Sequence, residues 1–179
     1  MCEEENMLEP TIVEAINKQI EKEFFSAYLY YEIANYYGQK GLNGFQNWYM
    51  VQTKEELDHA HLFVQYLIDK GETPILSAIQ SPSKRFEDFK EPLQLALEHE
   101  RYITRSIHEL YASVDKEKDY HTKILFEWFI KEQGEEEKNA EELITRYELF
   151  VEGDKKALYD LNNELASRVY TETTMDTVL

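Results

Sequence analysis

The chain has 179 residues, enough for one well-cored domain and too few to expect two. With 42% hydrophobic and 13% aromatic residues it is globular rather than disordered, and only 6 glycines and 4 prolines favour long helices over many short strands. A formal charge of −17, from 36 acidic against 19 basic side chains, makes nucleic acid and anionic membranes poor partners and cations good ones, although such a surface also serves plain solubility.

In chain order, the segment Met1 to Glu9 is acidic and lacks the apolar stretch of a signal sequence, and nothing further on reaches membrane-spanning length. The expectation is a soluble, cytoplasmic protein with no membrane partner. Cys2 is the single cysteine, which rules out an intrachain disulfide and a cysteine-pair metal site. Helical periodicity predicts a first helix over 11–37, with Val13, Ile16, Ile20, Glu23, Ala27, Tyr30, Ala34 and Tyr37 on its inward stripe and a stop at Gly38. Asn43 suits the N-cap of a second helix over 44–70, whose stripe reads Phe45, Tyr49, Gln52, Glu56, His59, Phe63 and Tyr66. Residues 72–90, with Pro74 and Pro82, read as an extended crossover. A third helix over 92–114 begins at Pro92 and carries Leu93, Ala96, Glu100, Ile103, Ile107, Leu110 and Val114. Asp119 can cap a fourth helix over 120–150, with Phe126, Phe129, Gln133, Glu136, Ala140, Leu143, Tyr147 and Phe150. Gly153 separates it from a shorter fifth helix over 155–167, and 168–179 is a polar tail.

Loop lengths set the topology. The first and second helices, and the third and fourth, are joined tightly and form antiparallel hairpins. The crossover can reach about 60 Å when extended, enough to run the length of a bundle and make the second and third helices parallel. An up-down bundle with an oversized loop is the alternative.

Each stripe carries polar residues near its midpoint: Glu23, Glu56, His59, Glu100, Gln133 and Glu136. In helices of similar length these meet at one level. Four carboxylates in an apolar interior are prohibitive unless they are paired or protonated, and no Lys or Arg interrupts the stripes. A bound cation, or two, resolves the cost. Carboxylates with one imidazole suit Fe(II), Mn(II) or Zn(II) better than Ca or Mg. Glu56 and His59, three residues apart, share a helix face, and Gln133 and Glu136 repeat that spacing.

The segments EKEFFSAYLYY (21–31), KEELDHAHLF (54–63), LEHERYI (97–103) and LFEWFIKEQGEEEK (125–138) resemble those of prokaryotic non-haem ferritins. The resemblance extends through the fifth helix. It implies an all-α fold, a single ferritin-like domain over 1–179: a four-helix bundle with one long crossover and a short C-terminal helix. It also implies a homo-oligomeric cage of about 24 subunits that oxidises Fe(II) with dioxygen or peroxide at an intrasubunit ferroxidase centre and stores ferric oxide mineral. By the same resemblance Glu23, Glu56 and His59 hold one iron. The second takes Glu56 as a bridge with Glu100 and Gln133, and Glu136 lies at the edge. A third iron position matches Glu55, Glu132, Glu135 and Glu136, against which stands a solvated helix face supported by Lys131 and Lys138. Tyr30 and Trp128 match electron-donating aromatics of the family, or are core packing. Leu57 stands where bacterioferritins carry a haem-ligating methionine, so no haem is expected. Asp119 and His121 are candidates for lining a pore. The alternative activity is a di-iron oxidase or peroxidase of the rubrerythrin-like or bacterioferritin-like type, and a structural cage subunit with a vestigial site is a further rival.

Overall fold

The structure is a computed structural model that describes residues 8–82 and 84–179; Cys2 and most of the acidic N-terminal segment lie outside these. Among the described residues there are six α-helices and no strand. Four are long: α1 (Pro10–Gln39), α2 (Asn43–Asp69), α3 (Glu91–Glu117) and α4 (Tyr120–Arg146). After a π-helical turn at Tyr147–Val151 come α5 (Lys155–Leu165) and the one-turn α6 (Met175–Val178).

The helix ends follow local chemistry. Proline stands in the first turn of both α1 and α3, where its missing N–H costs nothing. Helix α1 runs past Gly38 to Gln39, because the residue that takes the left-handed conformation is Gly41, at φ 76°; Leu42 then donates back to the Tyr37 carbonyl at 3.0 Å. Asn43 is the first residue of α2 and not its cap. The free N–H groups of Gly44 and Phe45 reach instead Oδ1 of Asn162 on α5, at 2.8 and 3.4 Å. Asp119 caps α4 by accepting from the Thr122 amide at 3.1 Å.

Helix α4 ends earlier than 150. Buried Leu143, Tyr147 and Val151 fall four apart, slightly more than an α-turn, and the wider π turn keeps them in line. Phe150, expected inside, is 68% exposed. At the start of α1, Ile12 takes the core position and Val13 is only half-buried.

The crossover establishes that α2 and α3 are parallel. It is pinned near the start of α1, where Ile75 N donates to Oδ1 of Asn17 at 2.6 Å. At the other end of α1, Tyr36 and Tyr37 donate to the carbonyls of Asp88 and Phe89 at 2.9 and 2.7 Å. Asn17 and Tyr37 stand about 30 Å apart along the helix at 1.5 Å per residue. The connection therefore travels the length of the bundle.

Two apolar cores fill the bundle. One, around Ile12, Ile16, Phe63, Phe126 and Phe129, closes the end where α1 begins. The other, around Tyr37, Phe45, Tyr49, Leu93 and Leu143, closes the end where α1 stops. Between them lies a belt of buried polar side chains: Glu23, Gln52, Glu56, His59, Glu100, Gln133 and Glu136.

The tail departs most from expectation. It returns along α2, and Met175 and Val178 of α6 pack against the first core. Two apolar side chains and three hydrogen-bonding residues are enough to dock a segment that looked merely polar.

Candidate metal centre

The belt converges on Glu23, Glu56 and His59. One ligand atom from each lies within 4.8 Å of the others, and all three residues are buried. Glu56 and His59 are three apart on α2, so both project toward α1, where Glu23 sits between the two cores.

The surrounding side chains hold these groups in place. Gln19 donates to Oε1 of Glu23 at 2.7 Å, and Gln19 in turn accepts from Ser106 at 2.5 Å. This leaves Oε2 of Glu23 buried and without a hydrogen-bond partner, as are both ring nitrogens of His59. Unpaired buried polar atoms are costly and uncommon. Oε2 of Glu23 and one ring nitrogen of His59, beside the Glu56 carboxylate, form an arrangement that a divalent cation would satisfy. The His59 ring is packed edge-on by Trp128 and Phe129, with centroids 5.8 and 5.6 Å away, which fixes its plane.

Glu100 and Gln133 occupy the other half of the belt. Glu100 accepts from the Tyr30 hydroxyl and, at 3.1 Å, from the Gln133 amide. Glu136 accepts from Gln52 at 2.8 Å, and Oε1 of Gln52 is left without a partner.

Burial dominates the electrostatics. It raises the carboxyls of Glu23 and, much further, Glu56, where the neighbouring Glu100, Glu23 and Glu136 add to it. Glu100 is pushed up to about 7, against hydrogen bonds from Tyr30 and Gln133 that favour its charged form. Glu136 is pushed up to about 8 by burial together with Glu100 and Glu55. Without a cation, burial favours the protonated form of these carboxyls, and Glu136 still holds its proton at neutral pH; a bound cation would favour the ionised forms.

The outer residues divide. Glu132 comes within 4.0 Å of Nε2 of His59 and is 28% exposed. Glu55 interacts electrostatically with His59 and Glu132, but Nη2 of Arg168 from the tail sits 2.7 Å from its carboxylate. Glu135 is not brought to the centre; it is 62% exposed, with Lys131 at 3.8 Å. Tyr30 and Trp128 both touch belt residues. Asp119 is committed to capping α4, and His121 is exposed. Leu57 lies outside the belt in an exposed apolar depression with Phe24, Tyr28, Tyr31 and Ile79.

Sequence periodicity missed Gln19, Ser106 and Arg168. Gln19 is one residue off the predicted stripe of α1, and Ser106 one residue off that of α3. Only their polarity on otherwise apolar faces could have marked them. Arg168 carries no signal at all, since it reaches the centre from the polar tail.

Comparison with known proteins agrees with this helical bundle. The family profile described as "Ferritin-like domain" matches residues 13–150. The chain belongs to the ferritin family. The chain is 34% identical over 166 residues to a bacterial non-heme ferritin of Staphylococcus epidermidis, spanning 93% of this chain and 99% of the relative. A probable bacterial non-heme ferritin-like protein of Haemophilus influenzae is 31% identical over 161 residues, covering 90% of this chain and 97% of that one. Among solved structures, an open pore ferritin from the hyperthermophilic archaeon Archaeoglobus fulgidus superposes with a TM-score of 0.87 at 37% identity, covering 90% of this chain and 98% of its own. A closed form of Archaeoglobus fulgidus ferritin, engineered by site-directed mutagenesis, gives 0.88 at 36% identity, with 92% and 99% covered. The family relation and the fold therefore agree from end to end of the bundle. Among the described residues no helix is long and apolar enough to cross a membrane.

Proposed function

We propose that this chain is an iron-storage subunit: one ferritin-like domain that oxidises Fe(II) and passes the ferric product into a mineral held within a homo-oligomeric cage. The observation that carries the reading is the buried triangle of Glu23, Glu56 and His59, in which Oε2 of Glu23 and the His59 ring nitrogens have no hydrogen-bond partner. Mixed carboxylate and imidazole donors suit Fe(II), and hard oxygen ligands favour Fe(III) over it.

In this reading iron is the substrate. Glu23, Glu56 and His59 bind one Fe(II); Glu56, Glu100 and Gln133 bind the second, with Glu136 at the edge. A shared carboxylate keeps the two ions about 3.5–4 Å apart, so a single oxidant takes one electron from each. Dioxygen accepts two electrons and two protons to become hydrogen peroxide; hydrogen peroxide accepts the same to become two waters. Gln19 orients Glu23, and Tyr30 orients Glu100 and is placed to supply a further electron. A neutral amide at Gln133 makes the second position the weaker one, which suits iron in transit. Glu55, Glu132 and Glu136 are the proposed onward ligands, with Glu135, exposed beside Lys131, a fourth by family likeness. The cytoplasm and an assembly of 24 subunits complete the proposal by family likeness.

An organic substrate is disfavoured. The cavity beside Glu100 and Glu136 has room for no more than about one water, and Phe63 and Phe129 stack on one another close by. The test is aerobic Fe(II) loading of the assembled protein, followed by electron microscopy and stopped-flow absorbance. An electron-dense core inside each shell is expected, with rapid oxidation lost in Glu23→Ala, Glu56→Ala and His59→Ala. Shells that stay empty, or oxidation that survives these substitutions, would reject the assignment.

A further inference from the structure

Residues 166–173 lie along α2 from Asn47 to Asp58, about 16 Å of helix at 1.5 Å per residue. The contacts are specific. Asn47 Nδ2 donates to the carbonyls of Leu165, Ala166 and Arg168 at 3.3, 3.4 and 2.9 Å. The Tyr170 hydroxyl meets both carboxylate oxygens of Asp58 at 2.9 and 2.7 Å, and the Thr173 amide donates to the same Asp58 at 2.9 Å. Arg168 stacks over the Trp48 ring at 4.1 Å and presents Nη2 to Glu55 at 2.7 Å; both side chains of that pair are largely buried, at 17% and 20% exposure.

We propose that Arg168 is a positioning residue that acts as a built-in counterion at the edge of the metal centre, holding Glu55 against a third cation until the tail strap lifts. Glu132 comes within 4.0 Å of Nε2 of His59, which has no hydrogen-bond partner, and Glu55 lies close enough to both to interact with them electrostatically. A divalent ion bound to Glu55 and Glu132 needs the carboxylate that the guanidinium now holds, and a second positive charge beside Arg168 is repelled. The centre therefore keeps two tight positions and one conditional one. Iron passes outward past Glu55 only as fast as the strap releases it. The guanidinium is kept in place by Trp48, and the strap by Asn47 and Asp58, so charge and backbone contacts close the edge together. The proposal rests on the two-ion reading of the centre.

The test is anaerobic titration of the assembled, chelator-stripped protein with Zn(II), a redox-inert probe, by calorimetry and equilibrium dialysis. Wild type should bind two ions per chain tightly and a third weakly. In Arg168→Gln, which keeps the planar stack on Trp48 without the charge, the third ion should bind about tenfold more tightly, a change of about 1.4 kcal/mol. Arg168→Lys should stay close to wild type, and the gain should vanish in the double variant Arg168→Gln, Glu55→Gln. A chain ending at Ser167 should gain as Arg168→Gln does. An unchanged third isotherm in both Arg168→Gln and the shortened chain overturns the counterion role. Loss of the two tight ions in wild type itself would overturn the reading beneath it, and the two failures are seen separately in the same titration.

Discussion

Replacing Glu136 by Gln should make the metal-free protein more stable in alkali and leave it unchanged in acid. Glu136 is 5% exposed, and its carboxyl is raised from 4.5 to about 8 by burial first and by Glu100 and Glu55 next. Between those two values the folded chain holds a proton that the unfolded chain has released. Stability therefore falls as pH rises through that window: the favourable contribution is complete below about 4.5 and lost above about 8. At 1.36 kcal/mol for each pH unit the full penalty is about 5 kcal/mol. Glu56, Glu100 and Glu136 titrate as a set, so removing one relieves about 2–3 kcal/mol of it. A glutamine never ionises. Its amide can also donate to Oε1 of Gln52, which has no partner, while Gln52 keeps donating in the other direction. Calorimetry of chelator-treated protein, at equal concentration so that assembly is held constant, should give matching Tm values for variant and wild type at pH 5. At pH 8.5 the variant should melt about 5–10 °C higher, at the 2–4 °C per kcal/mol expected for a chain of this size. A gain of equal size at both pH values would place its origin in packing, and a loss at pH 8.5 would refute the buried-charge account altogether.

Three further outcomes follow from the same geometry. Zn(II) binding to the metal-free protein at pH 7 should release about one to two protons per chain, because Glu56, Glu100 and Glu136 must ionise to bind; calorimetry in two buffers of different ionisation enthalpy measures this, and a proton count of zero contradicts it. Tyr30→Phe keeps the ring but removes the donor to Glu100. The second Zn(II) should then bind about tenfold more weakly, the scale of one hydrogen bond to a charged group, with the first ion unaffected. Gly44→Ala would set a Cβ 1.6 Å from the Asn162 carbonyl oxygen, so α5 must move off the start of α2. The variant should lose about 2–4 kcal/mol, show faster amide exchange over 155–165, and retain two-ion binding by α1 to α4.

Much of the bundle is legible in the chain itself. Apolar residues at helical spacing, two short connections and one long one lead to four helices with a crossover, since an amphipathic stripe has to be buried and a loop cannot exceed its reach. Glu23, Glu56, His59, Glu100, Gln133 and Glu136 are legible for the same reason: each interrupts an apolar stripe near its midpoint, where an unpaired charge is too costly to be incidental. Tertiary structure alone decided what surrounds them. That Ser106 of α3 donates to Gln19 behind Glu23, and that Asn162 caps α2, depend on side chains from separate helices meeting in space. The same is true of the tail. Arg168 lies 113 residues from Glu55 in sequence, in a segment whose composition marks it only as polar. Periodicity reports which face of a helix is buried; it carries no information about which distant charge will be laid beside it.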